Sequence, residues 1–148
     1  MKIDKISGSD LLFDVIARCK ETHESLFLLG ADADTNARAV RRAKELGALN
    51  TFGLSPAPAP YPFSSELEYE ILEKINEIRP AYLFVGFGAR KQEFWIRDNL
   101  EKLKQAGVKF VVGSGGSFAF LAGSIKRAPY WMQRVGLEGV YRFVQEPR

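Results

Sequence analysis

The sequence predicts an α/β fold in a single domain, with a mostly parallel sheet flanked by helices. Segments with apolar residues at helical spacing alternate with short apolar runs of strand length, which is the pattern of βαβ units. Three of those runs end at a glycine, as buried parallel strands do where they turn into a helix. With 148 residues and 46% apolar content, the chain can bury its own core, and the predicted architecture is Rossmann-like.

Capping residues and apolar runs set the boundaries of the predicted elements. Four helices are predicted, which begin at Ser9 or Asp10, at Asp34 or Thr35, at the capping box Ser65-x-x-Glu68, and at Lys91. Four strands are predicted at 26–29, 49–52, 82–85 and 110–112, the last of these being the final strand. Prolines at alternate positions from 56 to 62 hold the backbone extended, so that segment is predicted to be a loop.

The composition excludes several classes of site. Cys19 is the only cysteine and His23 the only histidine, which rules out an intramolecular disulfide and the Cys- and His-rich metal centres. Residues 1–5 lack the apolar core of a signal peptide, and no apolar run reaches the ~18–20 residues that span a bilayer. We therefore expect a cytoplasmic protein that holds no metal and no cofactor.

The net charge of +3 is concentrated at the C-terminus. The last 25 residues hold five basic and two acidic side chains beside four aromatic ones, whereas the rest of the chain is neutral. A tail of this kind suits anionic lipid headgroups, a phosphate or nucleic acid, and we expect a membrane surface and no nucleic-acid partner. The alternative is a helix with an ordinary solvated basic face.

The glycines at the strand ends indicate a ligand site. Parallel strands place their carboxyl ends at one edge, where glycine lets backbone N–H groups approach a phosphate. The segments are Gly30, Gly86-Phe-Gly88 and Gly113-Ser-Gly-Gly116, which favour a nucleotide or phosphorylated ligand. The alternative is that these glycines only form tight strand-to-helix turns. General motifs do not name the ligand, because Lys91 and Phe118 stand where a dinucleotide fingerprint needs its third glycine.

Three segments in the second half of the chain match the signatures of one family. They are Phe84-Val-Gly-Phe-Gly-Ala-Arg-Lys-Gln-Glu93, Gly123-Ser-Ile-Lys-Arg-Ala-Pro129 and Gly136-Leu-Glu-Gly-Val-Tyr-Arg-Phe-Val-Gln-Glu-Pro-Arg148. In their order and spacing they resemble the WecG/TagA/CpsF glycosyltransferases, also called glycosyltransferase family 26. The resemblance begins at Ser7-Gly-Ser-Asp10, which is similar to the family's G-x-D-L segment, and it covers nearly the whole chain.

The resemblance implies an inverting glycosyltransferase without a catalytic metal. Such enzymes transfer N-acetylmannosamine or a related sugar from a UDP-sugar to N-acetylglucosamine linked to undecaprenyl diphosphate. Their products serve the synthesis of teichoic acid or cell-surface polysaccharide. The implied partners are the UDP-sugar donor, the lipid-linked acceptor and, through the basic tail, the inner face of the cell membrane. A homo-oligomer is a further expectation.

The family's motifs also assign residues to the expected site. Asp10 matches the candidate base for the acceptor hydroxyl, its alternative role being a first-turn acid stabilised by the helix dipole. Lys91, Gln92 and Glu93 match the motif that helps to form the donor pocket, although Glu93 is alternatively a first-turn acid of its helix. Arg127 matches a diphosphate-binding arginine, or else is an ordinary surface arginine. The other expected donor-site residues are Gly30, Gly86, Gly88, Gly115, Gly116 and Ser117.

The chain departs from the family pattern at three positions. Arg90 stands where proline is usual, Ala119 where aspartate is usual, and Gly139 where tryptophan is usual. We also expect the family's N-terminal segment, with its Thr-Pro-Asn and Asp-Gly motifs, and most of its C-terminal membrane-contacting appendage to be absent. Two alternatives to an active transferase therefore stay open. One is an inactive nucleotide-sugar-binding remnant, and the other is a non-enzymatic α/β module that docks on a membrane or partner.

Overall fold

A computed structural model describes residues 8–123 and 140–142 of the chain. Five helices and five strands lie within these ranges, and no helix among them is long and apolar enough to cross a membrane. In chain order the elements are α1 (Gly8–Thr22), β1 (Leu26–Gly30), α2 (Ala33–Glu45), β2 (Thr51–Leu54), α3 (Ser65–Ile78), β3 (Tyr82–Gly86), α4 (Lys91–Gln105), β4 (Phe110–Gly113), α5 (Gly115–Ala122) and β5 (Val140–Arg142).

The strands form one sheet in the order β2-β1-β3-β4-β5. β1 pairs in parallel with β2 and β3, and β3 pairs in parallel with β4, whereas β5 is antiparallel to β4. The chain goes to one side of β1 for β2 and to the other side for β3, so the order reverses between β1 and β3. In open α/β sheets, ligands bind at the carboxyl ends of strands beside such a reversal. The predicted α/β class with a mostly parallel sheet is confirmed.

Helices cover both faces of the sheet, and each face has its own hydrophobic core. The first core joins α1, α2 and α5 to strand side chains such as Leu28 and Phe84. The second joins α3 and α4 to Phe27 and Leu83, with Trp95 of α4 fully buried. Successive strand residues point to opposite faces, so β1 and β3 are buried along their whole length. Each fully buried large apolar side chain contributes about 1.5–3 kcal/mol relative to exposure.

Two predicted helix starts on the first face are corrected. The N-cap of α2 is Asp32, whose carboxylate accepts from the Thr35 backbone N–H at 2.6 Å, so Asp34 and Thr35 both lie inside the helix. Ser9 and Asp10 lie inside α1, which already includes Gly8. Short runs of polar residues offer several equivalent caps, and the path of the preceding turn decides among them.

The predicted capping box at the start of α3 is not formed. Ser64 is the N-cap, because its side chain accepts from the Leu67 backbone N–H at 3.2 Å. The carboxylate of Glu68 is used elsewhere: it accepts from the indole N–H of Trp95 at 3.0 Å. A tertiary contact between α3 and α4 thus takes the side chain on which the predicted box depends.

Two strand predictions are also corrected. β2 begins at Thr51 and not at Leu49, which is 69% exposed, and the Thr51 hydroxyl donates to the Ala48 carbonyl at 2.7 Å. The prediction that 110–112 is the final strand is wrong, because β5 pairs with β4 in antiparallel register. β5 has only three residues, too few to show an alternating pattern within the basic tail.

Candidate functional site

A cavity of about 410 Å³ opens at the carboxyl ends of β1 and β3, where the strand order reverses. One wall is the β1–α2 turn, residues 30–33, and another is the loop after β2, residues 55–59. Phe63, Leu67 and the β3–α4 turn complete the lining. The cavity therefore draws its walls from two strands, three helices and the loop after β2, as ligand pockets of α/β sheets do.

Two charged side chains contribute to the cavity lining. Lys91, the first residue of α4, donates from its ammonium group to the Ala59 carbonyl at 2.9 Å, which uses one of its three hydrogens. Asp32 lies at the amino end of α2, where hydrogen bonds from the backbone and hydroxyl of Thr35 lower the pKa of its carboxyl group. The cavity thus offers a cation for an anionic group and a carboxylate for hydroxyl groups.

Two aromatic residues, Phe63 and Phe87, belong to the apolar part of the lining. Phe63 and Phe87 pack edge to face with ring centres 5.1 Å apart, and Phe87 packs in the same way on the buried Trp95 at 5.8 Å. Tyr61 continues the row, 5.2 Å from Phe63. Rings held in this arrangement present a fixed surface on which a planar or sugar ring can lie.

Three glycines bring the surrounding backbones into close approach. Gly30 has a φ of +109°, and a Cβ there would lie 2.6 Å from the carbonyl oxygen of Gly86. A Cβ on Gly86 would lie 3.1 Å from the Cα of Gly115. The Ala31 backbone N–H donates to the Gly86 carbonyl at 2.9 Å. This geometry favours the close-packing role for these glycines, and Gly30 and Gly86 also line the cavity.

The comparison with known proteins gives the family. The family model described as "Glycosyl transferase WecG/TagA/CpsF family" matches residues 2–148. The chain belongs to this family. The match covers both described ranges and the three signature segments. The cavity and the β3–α4 turn beside it therefore lie within the matched part of the chain.

Two curated relatives from Staphylococcus aureus carry the same printed name, N-acetylglucosaminyldiphosphoundecaprenol N-acetyl-beta-D-mannosaminyltransferase. The protein of Staphylococcus aureus strain MRSA252 is 31% identical over 144 residues, which cover 93% of this chain and 51% of that protein. The protein of strain MW2 is 29% identical over 143 residues, which cover 96% of this chain and 53% of that protein. The chain therefore spans about half the length of the curated relatives it matches.

The family's Lys-Gln-Glu motif forms the first turn of α4, directly after the β3–α4 turn, and of its three residues only Lys91 lines the cavity. Gln92 is buried and its side-chain oxygen accepts from the Gly88 backbone N–H at 3.1 Å. Glu93 accepts from the Arg90 backbone N–H at 2.7 Å. These two side chains hold the turn, so the first-turn role expected as an alternative for Glu93 is the one its contact supports.

Arg90 occupies a backbone conformation that suits few residues. Its φ of +74° and ψ of −50° lie near the rare γ-turn, which is strained for a residue with a Cβ. The hydrogen bond to Glu93 keeps the backbone of Arg90 in this conformation. A proline, the usual family residue by the sequence pattern, is locked at a φ near −65° and is incompatible with this turn.

The remaining expected site residues lie around α1 and α5. The glycine pair Gly115-Gly116 forms the first turn of α5, and the Ser117 hydroxyl donates to the Ser114 carbonyl at 2.7 Å. Asp10 is half-buried in the first turn of α1, near Phe13, which packs on Phe120 of α5 at 5.9 Å. Asp10 and α5 are not among the described residues that line the cavity. Arg127, Gly139 and the rest of the basic tail apart from β5 lie outside the described residues.

Sequence analysis missed several residues of the cavity. Asp32 is not among the residues assigned to a site from the sequence, and the proline-rich segment is predicted only as a loop. The signal for Asp32 is its position two residues after a glycine-ended strand that adjoins the reversal of strand order. Phe87 has the same signal, since it directly follows Gly86 at the end of β3. Phe63 carries none, because its contact with Phe87 depends on how the segment before α3 packs in the fold. Among the described residues, no group of three His, Cys, Asp or Glu side chains is placed to hold a metal ion.

Proposed function

We propose that the chain is a glycosyltransferase that moves N-acetylmannosamine or a related sugar from a UDP-sugar to N-acetylglucosamine on undecaprenyl diphosphate. Membership of the glycosyltransferase family supports the reaction class, and the relatives' printed name supports this sugar and acceptor. The observation that carries the proposal is the cavity at the reversal of strand order, with the family's motif lysine, Lys91, in its wall. The product then enters teichoic acid or another cell-surface polysaccharide.

The cavity takes the donor in this proposal. Lys91 donates to the diphosphate from the hydrogens that Ala59 does not use, and charged hydrogen bonds of this kind are among the stronger ones in proteins. Arg127 is the proposed second diphosphate ligand. The rings of Phe63 and Phe87 support the base or the sugar, and Asp32 accepts from hydroxyl groups. Gln92 and Glu93 keep the turn that carries Lys91, while Gly88, Gly115, Gly116 and Ser117 shape the neighbouring backbone.

The proposed transfer is a single displacement. The acceptor hydroxyl oxygen attacks the anomeric carbon of the donor sugar while Asp10 takes the hydroxyl proton. The bond from that carbon to the UDP oxygen breaks, and UDP leaves with the electron pair, so the configuration at the carbon inverts. The cationic ligands of the diphosphate stabilise the charge that develops on the leaving group. Contact of the basic tail with the inner face of the cell membrane brings the acceptor lipid to the site. The proposed transfer is also compatible with a homo-oligomer.

The first experiment is calorimetric titration of the purified chain with UDP, with ADP as the comparison ligand. We expect UDP to bind selectively and Lys91→Ala to weaken that binding by about tenfold or more, the size of one charged hydrogen bond. Lys91→Arg is the matched control, because it keeps a cation and recovers part of the affinity. A folded wild-type chain that binds neither nucleotide contradicts the proposal.

The second experiment measures turnover. Release of UDP from UDP-N-acetylmannosamine is followed with the lipid-linked acceptor in detergent, and again without acceptor. We expect release only when the acceptor is present, and Asp10→Asn is expected to abolish it while leaving UDP affinity unchanged. UDP binding with no release contradicts catalysis by this chain.

One observation favours a second candidate function, the binding of a nucleotide-sugar without turnover. The described residues that line the cavity do not include Asp10, the proposed base. A chain of this kind binds UDP with normal selectivity and releases none from the donor. The two experiments together separate the candidates, since the first tests the cavity and the second tests the chemistry.

A further inference from the structure

The loop that forms one wall of the cavity is fastened to α4 at two points. We call residues 55–62 the proline-rich loop. Its Ala59 carbonyl accepts from the Lys91 ammonium at 2.9 Å, and the hydroxyl of Tyr61 donates to the carboxylate of Asp98 at 2.6 Å. Lys91 and Asp98 are seven residues apart on one helix and therefore share a face. A single helix face thus presents both fastening groups to the loop.

The proline-rich loop needs side-chain contacts of this kind to stay in place. Proline occupies positions 56, 58, 60 and 62, and a proline has no backbone N–H to donate. Every second residue is therefore unable to hold the loop by a backbone donor. The position of the wall consequently depends strongly on the groups at its far end, of which Tyr61 makes the shortest hydrogen bond to α4.

The Tyr61–Asp98 bond has well-defined geometry at both ends. The tyrosine ring packs edge to face on Phe63 at 5.2 Å and lies 6.4 Å from the ring of Phe94. The Oδ1 atom of Asp98 accepts from the Arg97 side chain at 3.0 Å, and the Oδ2 atom accepts from the Tyr61 hydroxyl. The hydrogen bond from Tyr61 also lowers the pKa of Asp98 and so favours its ionised, acceptor form.

We infer that Tyr61 and Asp98 are positioning residues for the anionic ligand of the cavity, which they affect through Ala59 and Lys91. Their hydrogen bond fixes the proline-rich loop, and the fixed Ala59 carbonyl then keeps the Lys91 ammonium at the cavity wall. A lysine side chain is long and flexible, so holding it in place before binding lowers the entropy that the ligand must overcome. The identity of the ligand as a UDP-sugar rests on the proposed function.

The test compares four variants by calorimetric titration with UDP. Tyr61→Phe removes the hydroxyl and keeps the ring, and Asp98→Ala removes the acceptor. Each is expected to weaken UDP binding by roughly three- to tenfold, as expected for partial loss of a charged hydrogen bond. Asp98→Asn keeps an acceptor oxygen and is expected to bind like the wild type. The double variant Tyr61→Phe/Asp98→Ala is expected to bind UDP no more weakly than either single variant, because both changes break the same hydrogen bond.

A control and a second measurement complete the design. Tyr69→Phe alters an exposed tyrosine on α3 and is expected to change nothing. In the absence of ligand, acetylation of Lys91 by limiting acetic anhydride is followed by peptide mass spectrometry, with Lys74 as internal reference. We expect Lys91 to be acetylated faster in Tyr61→Phe than in the wild type, and the acetylation rate of Lys74 to be the same in both. Circular dichroism at the assay temperature checks that every variant is folded.

The outcomes are distinguishable. Equal Lys91 acetylation in wild type and Tyr61→Phe overturns the inference, because the loop then does not hold the lysine. Faster acetylation with unchanged UDP affinity overturns the ligand role of the two residues. A third outcome is faster acetylation of Lys91 in Tyr61→Phe together with no UDP binding by the wild type. This outcome supports the fastening of Lys91 and overturns the proposed function instead. The inference is also contradicted if Asp98→Asn binds UDP more weakly than the wild type and Asp98→Ala binds UDP no more weakly than Asp98→Asn.

Discussion

Three glycines meet backbone against backbone at the carboxyl edge of the sheet. Gly30 approaches the carbonyl of Gly86, and Gly86 approaches the start of α5. Their lack of a side chain is what allows β1, β3 and α5 to converge beside the cavity. Gly88 differs, because its φ is also positive at +102° but nothing lies within 4 Å of the place a Cβ would take.

This difference gives a matched pair of substitutions. Gly30→Ala is expected to lower the free energy of unfolding by about 3 kcal/mol, since a methyl group 2.6 Å from a backbone oxygen adds overpacking to the strain of a positive φ. Gly88→Ala adds only the strain and is expected to cost about 1 kcal/mol. Urea denaturation measures both. Equal losses for the two variants would show that contact with Gly86 is unimportant.

At the scale of elements, one carboxylate links the end of α1, the start of β3 and the α4–β4 turn at the amino edge of the sheet. Glu24 lies in the α1–β1 turn and accepts from Lys109 at 2.5 Å, from the Tyr82 hydroxyl at 3.1 Å and from the Thr22 hydroxyl at 2.9 Å. Burial alone would raise the pKa of Glu24, but the hydrogen bonds from Lys109, Thr22 and Tyr82 outweigh it, and the pKa is lowered.

A lowered pKa in the folded state makes this contribution depend on pH. The stabilisation is present above the pKa of the unfolded chain, near ~4.3, and is lost as the pH falls through the lower pKa of the folded state. Glu24→Gln is therefore expected to be less stable than wild type by roughly 1 kcal/mol at pH 7, with the difference shrinking below pH ~4. Urea denaturation across this range measures it, with the exposed Glu21→Gln as control. A difference that grows on acidification would contradict the assigned contacts.

The elements also show what a sequence can predict. β1 and β3 were predicted within one residue, because unbroken apolar runs identify them from neighbouring residues alone, and the start of α4 was predicted at Lys91. The caps of α2 and α3 were missed, since adjacent polar residues are equivalent until the chain path is known. β5 was missed because its pairing with β4 joins segments about thirty residues apart in the sequence.

The same distinction applies to the site. Lys91 was predicted, because it belongs to a contiguous motif after a strand. The fastening of the proline-rich loop was not, since Tyr61 and Asp98 are 37 residues apart and only the packing of the loop on α4 brings them together. The aromatic contact of Phe63 with Phe87 has the same origin. Local patterns therefore predict the edge at which the cavity lies, and tertiary contacts supply the walls of the cavity.

At the scale of the whole molecule, the cavity depends on most of the fold. Its walls come from the ends of β1 and β3, the loop after β2 and the starts of α2, α3 and α4, so unfolding destroys the site. A ligand that binds only the folded state must stabilise the entire domain by mass action.

This coupling is measurable. At a free UDP concentration of 100 times its dissociation constant, the free energy of unfolding is expected to rise by about 2.7 kcal/mol. Urea denaturation with and without UDP gives the value, and ADP at the same concentration is the control for selectivity. A chain that binds UDP in the calorimeter without this gain would bind the nucleotide equally well when unfolded, which contradicts a site built by the fold.

The buried thiol of Cys19 has a practical consequence. Burial, helped by the nearby charge of Glu24, raises the pKa of Cys19 to about 11, so the reactive thiolate is scarce at neutral pH. Cys19 is also the only cysteine of the chain. A cysteine introduced on the proline-rich loop, as in Ala57→Cys, would therefore be the one thiol that takes a fluorophore or spin label in the native protein. The wild-type sequence therefore needs no further cysteine removal before a spectroscopic label is attached to the proline-rich loop.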